Sequence, residues 1–222
     1  MKYSLNGQWF FKNASDNGDF YPAFVPSTNY SDLLNNNLIP DPFVKLNEKE
    51  TVWVGDKNWL YRKTFKIGNE ILKEERIELV ADCIDAISEI YLNENLVAKT
   101  FNAHLGYRFD VKPYLQEGIN TLDILFLSPV KHAQSEKDRV GKTTLVKNFD
   151  KRIFIRKNQS HFDWDWGPEI PYSGITKDIY IDYGKNMRIV DFLVEQTHGD
   201  NYVSLDVSFA VQGNISQDSL NF

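Results

Sequence analysis

Apolar and polar positions alternate along most of the first part of this chain, which is the pattern of β-strands with one buried face. Helical periodicity is scarce, and one short helix is predicted at Tyr30–Asn36. Many short strands without intervening helices are typical of an antiparallel sandwich or barrel, so the predicted fold class is all-β. A tight hairpin turn is predicted at Asn93–Asn95. The predicted strands are Gly7–Phe11, Trp59–Ile67, Arg76–Val80, Ala86–Leu92, Leu96–Phe101, Arg108–Val111 and Asn120–Leu127.

Two stretches break this alternation. Between residues 22 and 50, four prolines fix the backbone and cannot donate to a strand ladder, so Ile39–Phe43 is predicted to be an extended, rigid loop. Lys131–Arg152 is rich in lysine and arginine and is predicted to be an irregular, solvated excursion between strands. Its one candidate stacking residue, Phe149, offers too little surface for a nucleic-acid site.

The last part of the chain predicts the start of a second domain. A boundary is predicted near Tyr183–Asn186, after which Arg188–Gln196 and Tyr202–Val211 alternate cleanly. Two strands cannot bury a core by themselves. Residues 1–185 are therefore predicted to form one sandwich, and residues 186–222 the first strands of another, truncated one. The unpaired edges of these strands could also form a homodimer with a second copy.

Composition and charge narrow the function classes. The chain has 222 residues, of which 42% are hydrophobic and 14% aromatic, enough for a packed core and too apolar for disorder. Its net charge of −6 argues against a nucleic-acid partner, and no apolar run approaches the length that spans a membrane. The N-terminus lacks a signal-peptide pattern, so a cytoplasmic protein is expected. The single cysteine, Cys83, lies among apolar residues and is predicted to be a buried thiol.

The stretch from Ile153 to Pro168 concentrates the candidate chemistry. It reads IFIRKNQSHFDWDWGP and alternates indoles with carboxylates around Trp164, Asp165 and Trp166. Indoles pack on the C–H faces of sugar rings, and carboxylates accept hydrogen bonds from sugar hydroxyls, so this alternation favours a carbohydrate-binding surface. The alternative is a core strand whose aspartates face solvent.

Metal binding and catalysis have weaker support in the same stretch. His161, Asp163 and Asp165 would share one face of an extended backbone, but Cα atoms on that face would be about 6.6 Å apart per step, which is wide for ligands of one ion. No metal and no cofactor are therefore expected. The chain has no Gly-x-Ser-x-Gly motif, and no histidine lies near Cys83 in the sequence. No catalytic residue is assigned, and the local pattern favours binding.

Several motifs occur in a fixed order along the chain. They are Leu5–Trp9, Ile39–Phe43 with Asn47–Glu48, Trp59–Phe65, Tyr91–Asn93, Tyr107–Val111, Glu117–Asn120, Phe154–Gln159, Trp164–Pro168, Gly174–Ile175 and Lys177–Asp178. In this order they resemble the N-terminal part of the β-mannosidases of glycoside hydrolase family 2, over about residues 4–183. The Trp164–Pro168 motif is the most specific of them.

The resemblance implies a jelly-roll, galactose-binding-like antiparallel β-sandwich over residues 1–185, the sugar-binding domain of these enzymes. It implies that residues 186–222 begin an immunoglobulin-like sandwich, followed in the full enzymes by a (β/α)8 barrel that carries the acid/base and nucleophile glutamates. Those enzymes hydrolyse terminal non-reducing β-D-mannose residues with retention. Without the barrel, the chain is expected to bind a mannoside or other β-glycoside and not to cleave it, with the missing barrel as its partner.

The same resemblance implies roles for five residues. Asp165 would accept hydrogen bonds from hydroxyls of the terminal mannose, and Trp164 would line that subsite, so both are candidates for substrate binding. Such contacts orient the sugar and strengthen its distortion toward the transition state without covalent work. Arg156 would order the loop through a charge-assisted hydrogen bond, and Gln159 and Trp166 would support it.

Departures from the family pattern keep other interpretations open. The family's Asp-Thr is here Asp85–Ala86, its Leu-Asn-Gly turn is Leu92–Glu94, and its Asn-Met pair is Asn102–Ala103. A β-galactosidase, β-glucuronidase or exo-glucosaminidase specificity therefore stays open. The alternatives from other classes are a free-standing carbohydrate-binding module and a structural or interaction domain whose aromatic loop is buried against a partner.

Overall fold

The computed structural model describes residues 1–141, 151–163 and 167–213. Within them the strands are β1 (Lys2–Ser4), β2 (Gly7–Asn13), β3 (Tyr21–Val25), β4 (Trp59–Ile67), β5 (Arg76–Ala81), β6 (Ile84–Asp85), β7 (Ile87–Leu92), β8 (Asn95–Phe101), β9 (Tyr107–Asp110), β10 (Gly118–Phe126), β11 (Gly174–Ile175), β12 (Ile179–Gly184), β13 (Arg188–His198) and β14 (Val203–Gln212). The α-helices are α1 (Asn29–Asn35), α2 (Glu48–Thr51), α3 (Asn69–Leu72) and α4 (Pro129–Val140), and 3-10 helices lie at Val52–Asp56, Lys112–Tyr114, Lys151–Phe154 and Gln159–Phe162. No helix in these ranges has both the length and the apolar character needed to cross a bilayer.

The strands form two main antiparallel sheets. One has six strands in the order β3-β2-β4-β10-β7-β8, and the other has four in the order β1-β12-β5-β9. Two further pairs, β6 with β11 and β13 with β14, are two-stranded. Trp9 and Tyr61 of the six-stranded sheet belong to one buried cluster with Leu79 and Ile181 of the four-stranded sheet, so the main core lies between the sheets. The predicted all-β antiparallel sandwich is confirmed.

The alternating segments identify their strands well. Each of the seven strands predicted before residue 130 is present, with ends within two residues of the prediction. The predicted hairpin joins β7 to β8 through Asn93 and Glu94, whose φ values of 49° and 67° are those of a turn that matches the twist of paired strands. The predicted helix is α1, and the side chain of Thr28 caps its first turn by accepting from the N–H of Ser31 at 3.2 Å.

The proline-containing region holds one strand that was not predicted and one prediction that is wrong. Residues 21–25 form β3, although Pro22 lies within it, because β3 is the edge of its sheet and an edge tolerates a residue without an N–H. The segment Ile39–Phe43 is not fully extended. The side chain of Asp41 accepts a hydrogen bond from the N–H of Phe43 at 2.9 Å, which closes a turn there.

The predicted irregular stretch Lys131–Arg152 is also wrong in part, because its first ten residues belong to α4. Pro129 occupies the first turn of this helix, and the hydroxyl of Ser128 caps it by accepting from the N–H of Lys131 at 3.0 Å. Gly141 ends the helix with a φ of 87°. Residues 142–150 lie outside the described part of the chain.

A buried carboxylate ties α1 to the six-stranded sheet. Asp32 is 1% exposed and accepts from the hydroxyl of Tyr61 at 2.7 Å and from the N–H of Phe24 at 3.1 Å. Burial raises the pKa of Asp32, and these hydrogen bonds oppose the increase. Cys83 is buried, as predicted, and its thiol lies 3.2 Å from the carbonyl of Ala103.

The two strands predicted after residue 186 form a ribbon of β13 and β14. Residues paired across an antiparallel ribbon share a face, and one face carries polar residues such as Glu195 and Asp206. The other face is apolar and exposed; it consists of Phe192, Val194, Leu205, Val207 and Phe209. Arg188 joins the ribbon to the sandwich through Glu78 of β5, with Nη2 3.2 Å from Oε1.

Candidate functional site

Three of the five predicted site residues lie outside the described part of the chain. These are Trp164, Asp165 and Trp166, so their roles stay predictions. Arg156 and Gln159 are described, and both are exposed. Neither side chain makes a hydrogen bond within the described residues; Arg156 is anchored by its backbone carbonyl, which accepts from the N–H of Ala103 at 2.9 Å. The predicted charge-assisted bond of Arg156 is not among these contacts.

The backbone before Trp164 is folded rather than extended. Residues 159–162 form a 3-10 helix, which Asn158 caps by accepting from the N–H of Ser160 at 3.2 Å. Asp163 follows with a φ of 74°, in the left-handed region. The core-strand alternative and the shared face considered for a metal site are therefore wrong for His161 and Asp163. In the described ranges, no three His, Cys, Asp or Glu side chains are grouped to hold a metal ion.

Both flanks of the aromatic motif, Trp164–Pro168, are tied to the sandwich. On its N-terminal side, Phe162 belongs to a small buried cluster that includes Ala133 of α4. On its C-terminal side, the N–H of Glu169 donates to Oε1 of Glu48 at 2.9 Å. Burial raises the pKa of Glu169, which is opposed by the positive charge of Lys151. The segments that enter and leave the motif are thus fixed by packing and by hydrogen bonds.

A buried ion pair lies under the first flank. The Nζ of Lys157 is 2.6 Å from Oδ1 of Asp85, and the two side chains are 0% and 5% exposed. Asp85 is held in β6, opposite Gly174 of β11. Burial lowers the pKa of Lys157 to about 8 against the attraction of Asp85, and burial also raises the pKa of Asp85 against the attraction of Lys157. Because the pKa of Lys157 stays above 7, its ammonium group is mostly protonated at neutral pH.

Lys157 also positions two rings. Its Nζ lies 3.9 Å from the ring centroid of Tyr172, a cation–π contact. The ring of Tyr172 lies 4.3 Å, centroid to centroid, from that of His161. Burial and the nearby charge of Lys157 lower the pKa of His161 to about 3, so the imidazole is neutral at pH 7. Its Nδ1 is buried without a hydrogen-bond partner in the described part of the chain.

His161 and Tyr172 line a cavity of about 660 Å³. Tyr30 and Phe43 add aromatic surface, and Gly167 and Pro168 of the aromatic motif lie at its margin. Aliphatic hydroxyl groups in its lining are contributed by Ser27, Thr28, Ser31, Ser160 and Thr176. Aromatic faces with a few hydroxyls suit an uncharged, partly apolar ligand such as a sugar. Among the described residues that line it, there is no pair of acids with which a glycoside could be cleaved.

Sequence reasoning did not identify Lys157, Asp85 and Tyr172 as parts of the site. Asp85 carries a readable signal, because it is a single carboxylate within the apolar run Ile84–Ile87, where a buried charge needs a partner. Lys157 carries none, since a lysine in a polar stretch is as a rule solvated. Nothing in the sequence indicates that these two residues, which are 72 positions apart, form a pair.

Three comparisons with known proteins agree with one another. Residues 9–177 match the family model described as glycosyl hydrolase 2 galactose-binding domain-like. The chain is 32% identical over 212 residues to a β-mannosidase from Capra hircus, covering 91% of this chain and 24% of that protein. It is 32% identical over 230 residues to a β-mannosidase B from Aspergillus terreus, covering 100% of this chain and 27% of that protein.

The similarity extends to three dimensions. The crystal structure of a β-D-mannosidase from Dictyoglomus thermophilum matches with a TM-score of 0.89 at 34% sequence identity. That match covers 96% of this chain and 26% of that protein. The chain therefore spans about a quarter of the length of the relatives it matches, and the likeness extends over nearly all of it.

Proposed function

The chain belongs to the glycosyl hydrolase 2 galactose-binding-like domain family, and on that premise we propose that it is the N-terminal, sugar-binding domain of a β-mannosidase. The proposed activity of the complete enzyme is hydrolysis of terminal non-reducing β-D-mannose with retention of configuration. The observation that carries this proposal is the similarity to β-mannosidases over nearly the whole chain. The catalytic glutamates are proposed to lie outside residues 1–222, since the chain spans about a quarter of these relatives.

Asp165 and Trp164 are the proposed sugar contacts of this domain. A carboxylate accepts strong hydrogen bonds from hydroxyls, and an indole packs on the apolar face of a pyranose. The anchored flanks support this role. Phe162 packs beside α4 and Glu169 is bonded to Glu48, so the positions from which the motif starts and ends are set before a sugar binds. Pre-organised contacts of this kind contribute to orientation and do no covalent chemistry.

Residues 186–222 are proposed to begin a second β-sandwich. The exposed apolar face of the β13–β14 ribbon supports this, because apolar surface of that extent on one small element is as a rule covered by a partner. Further strands of the same domain are the proposed cover. A homodimer in which two ribbons pack against each other is the competing arrangement.

Two aspartates that are two positions apart in the sequence allow a matched test of the proposal. In the complete enzyme, Asp165→Asn should lower kcat/KM for p-nitrophenyl β-D-mannopyranoside by about 100-fold, or ~3 kcal/mol of transition-state stabilisation, the range of a lost charged hydrogen bond. Asp163→Asn is the control and should stay within about twofold of the wild type. Asparagine has the same shape as aspartate, so the change adds no steric strain at position 163, where φ is 74°.

Three outcomes would contradict the proposal in different ways. Equal rates for Asp165→Asn and the wild type would show that Asp165 does not contact the sugar. Faster hydrolysis of a β-galactoside, β-glucuronide or β-glucosaminide than of the mannoside would assign another specificity of the family. Hydrolysis by residues 1–222 alone would show that the catalytic groups lie within this chain.

A further inference from the structure

A second cavity lies at the opposite end of β3 from the one beside the aromatic motif. Tyr21, the first residue of β3, lines it, whereas Pro26, which follows the last residue of β3, lines the other. Five residues of extended strand separate these positions by roughly 17 Å. The volume of the second cavity is about 230 Å³. This equals about seven or eight water molecules, which is room for one six-membered sugar ring with its hydroxyls.

A continuous set of aromatic rings builds this cavity. The buried ring of Phe11 lies 6.3 Å from that of Tyr21 and 5.8 Å from that of Trp59, and Trp59 lies 6.1 Å from Trp53, all between centroids. Trp59 is 3% exposed, and its indole N–H donates to the carbonyl of Val54 at 3.0 Å, which fixes the ring. Tyr21 and Trp53 remain 43% and 38% exposed. The cavity thus combines a rigid aromatic base with two rings open to a ligand.

Polar groups complete the lining. They are contributed by Lys12, Asn13, Asp16 and Asp19. The turn that carries Asp16 is ordered by Asn13, whose Oδ1 accepts from the N–H of Ser15 at 3.0 Å and whose carbonyl accepts from the N–H of Asp16 at 3.2 Å. Within the described residues, neither aspartate is in a salt bridge and the indole N–H of Trp53 has no hydrogen-bond partner. Acceptors and a donor are therefore available to a ligand.

The signs of these charges select the class of ligand. Lys12 disfavours an ammonium group, and Asp16 and Asp19 disfavour an anion, so a neutral ligand fits best. Two open rings need an apolar face to pack on, and the carboxylates need hydroxyl donors. We propose that this cavity binds one pyranose unit of a neutral carbohydrate, with a ring face against Trp53 and Tyr21 and hydroxyls directed to Asp16. The proposal rests on the lining of this cavity alone and does not depend on the aromatic motif.

The test follows the indole N–H resonance of Trp53 in the 222-residue chain during titration with methyl β-D-mannopyranoside, methyl β-D-glucopyranoside and methyl β-D-galactopyranoside. At least one glycoside should shift this resonance saturably, with a Kd of about 1 mM. Asp16→Asn, on an exposed turn, should weaken that binding by about tenfold, and Trp53→Ala, read by calorimetry, should do the same or more. Phe24→Ala is the matched control, because Phe24 is 61% exposed on the same strand as Tyr21 but points to the other face of the sheet.

The alternatives give different results. No saturable shift up to about 50 mM of any of the three glycosides would overturn the proposal. So would a choline or acetate ion that shifts the same resonance at lower concentration than every glycoside, since the cavity would then select charge. Equal affinity of Asp16→Asn, Trp53→Ala and the wild type would place the sugar elsewhere. The Asp165→Asn change separates the two proposals, because it should leave the Trp53 titration unchanged whether or not Asp165 contacts mannose.

Discussion

Replacing Lys157 with methionine removes one charge from the buried pair with Asp85 and keeps a side chain of similar length. At 2.6 Å the two charges attract each other by about 6 kcal/mol, for an effective dielectric constant of about 20. Burial of both groups offsets this attraction, since burial lowers the pKa of Lys157 to about 8 and raises that of Asp85. The intact pair therefore contributes little net stability, whereas one member left alone is costly.

We expect Lys157→Met to lower the free energy of unfolding at pH 7 by about 3–5 kcal/mol, the usual cost of leaving one buried charge unpaired. Combining it with Asp85→Asn should restore much of that loss, because no charge then remains buried. Urea denaturation followed by tryptophan fluorescence measures both changes and completes a double-mutant cycle. The matched control is Lys99→Met: Lys99 is also 2.6 Å from its partner, Glu89, but is 63% exposed, so its removal should change stability little.

The cost of Lys157→Met should also depend on pH. Without Lys157, the pKa of Asp85 rises further in the folded state, because the attraction that opposed burial is gone. The folded protein then holds a proton that the unfolded chain releases above about pH 4, so stability is lost as pH rises from there. The cost should be largest near pH 7 and shrink toward pH 4. Additive effects of the two substitutions, or a cost that is the same at both pH values, would refute this account of the pair.

Two further changes test neighbouring groups. Tyr61→Phe removes the hydroxyl that donates to the buried carboxylate of Asp32 and should lower the free energy of unfolding by about 1–3 kcal/mol in urea denaturation; unchanged stability would contradict the role of this bond. His161→Phe keeps an aromatic ring against Tyr172 and removes a group whose pKa is lowered to about 3 in the folded state. The unfolded chain takes up this proton below about pH 6.5, so wild-type stability falls as pH decreases from 6.5 to 3, and melting temperatures of the variant should fall less over that range. Parallel curves would contradict the burial of His161.

The alternation of apolar and polar residues predicts the strands of the sheets, because successive side chains of a strand point to opposite faces and only one face is buried. β4, for instance, pairs with β10 from Trp59 through Ile67; burial alternates along β10 and along most of β4, where Lys63 interrupts it. The alternation fails where another rule decides. β3 contains Pro22, which argues against a strand unless the strand is known to be an edge, and edges are set by tertiary pairing. α4 carries mostly polar residues, so its helical character is visible only in the Ser128 cap and in Pro129.

The site was predictable to a smaller extent. The aromatic motif stands out in the sequence because Trp164, Asp165 and Trp166 are a rare combination, and its family resemblance could be recognised before any coordinates. The groups that support its flanks could not, because they come from distant segments. Glu48 and Glu169 are 121 positions apart, and a hydrogen bond between such distant residues produces no repeating pattern in the sequence. The same holds for the second cavity, since Tyr21 and Trp53 come to line it only once the sheet and the 3-10 helix are packed.

The contact at Glu78 joins the ribbon to the sandwich through charged side chains, whereas the core between the sheets is apolar. Three arginines form ion pairs with this one carboxylate: Arg76 and Arg108 lie on strands of the sandwich, and Arg188 lies on the ribbon. A joint made of charges near the surface weakens as added ions screen it, whereas the apolar core between the sheets does not. Added salt should therefore weaken the contact between the ribbon and the sandwich more than it weakens the packing between the sheets. Among the described residues, neither cavity is lined by Glu78 or by these three arginines, so this effect of salt should not reach the cavities directly.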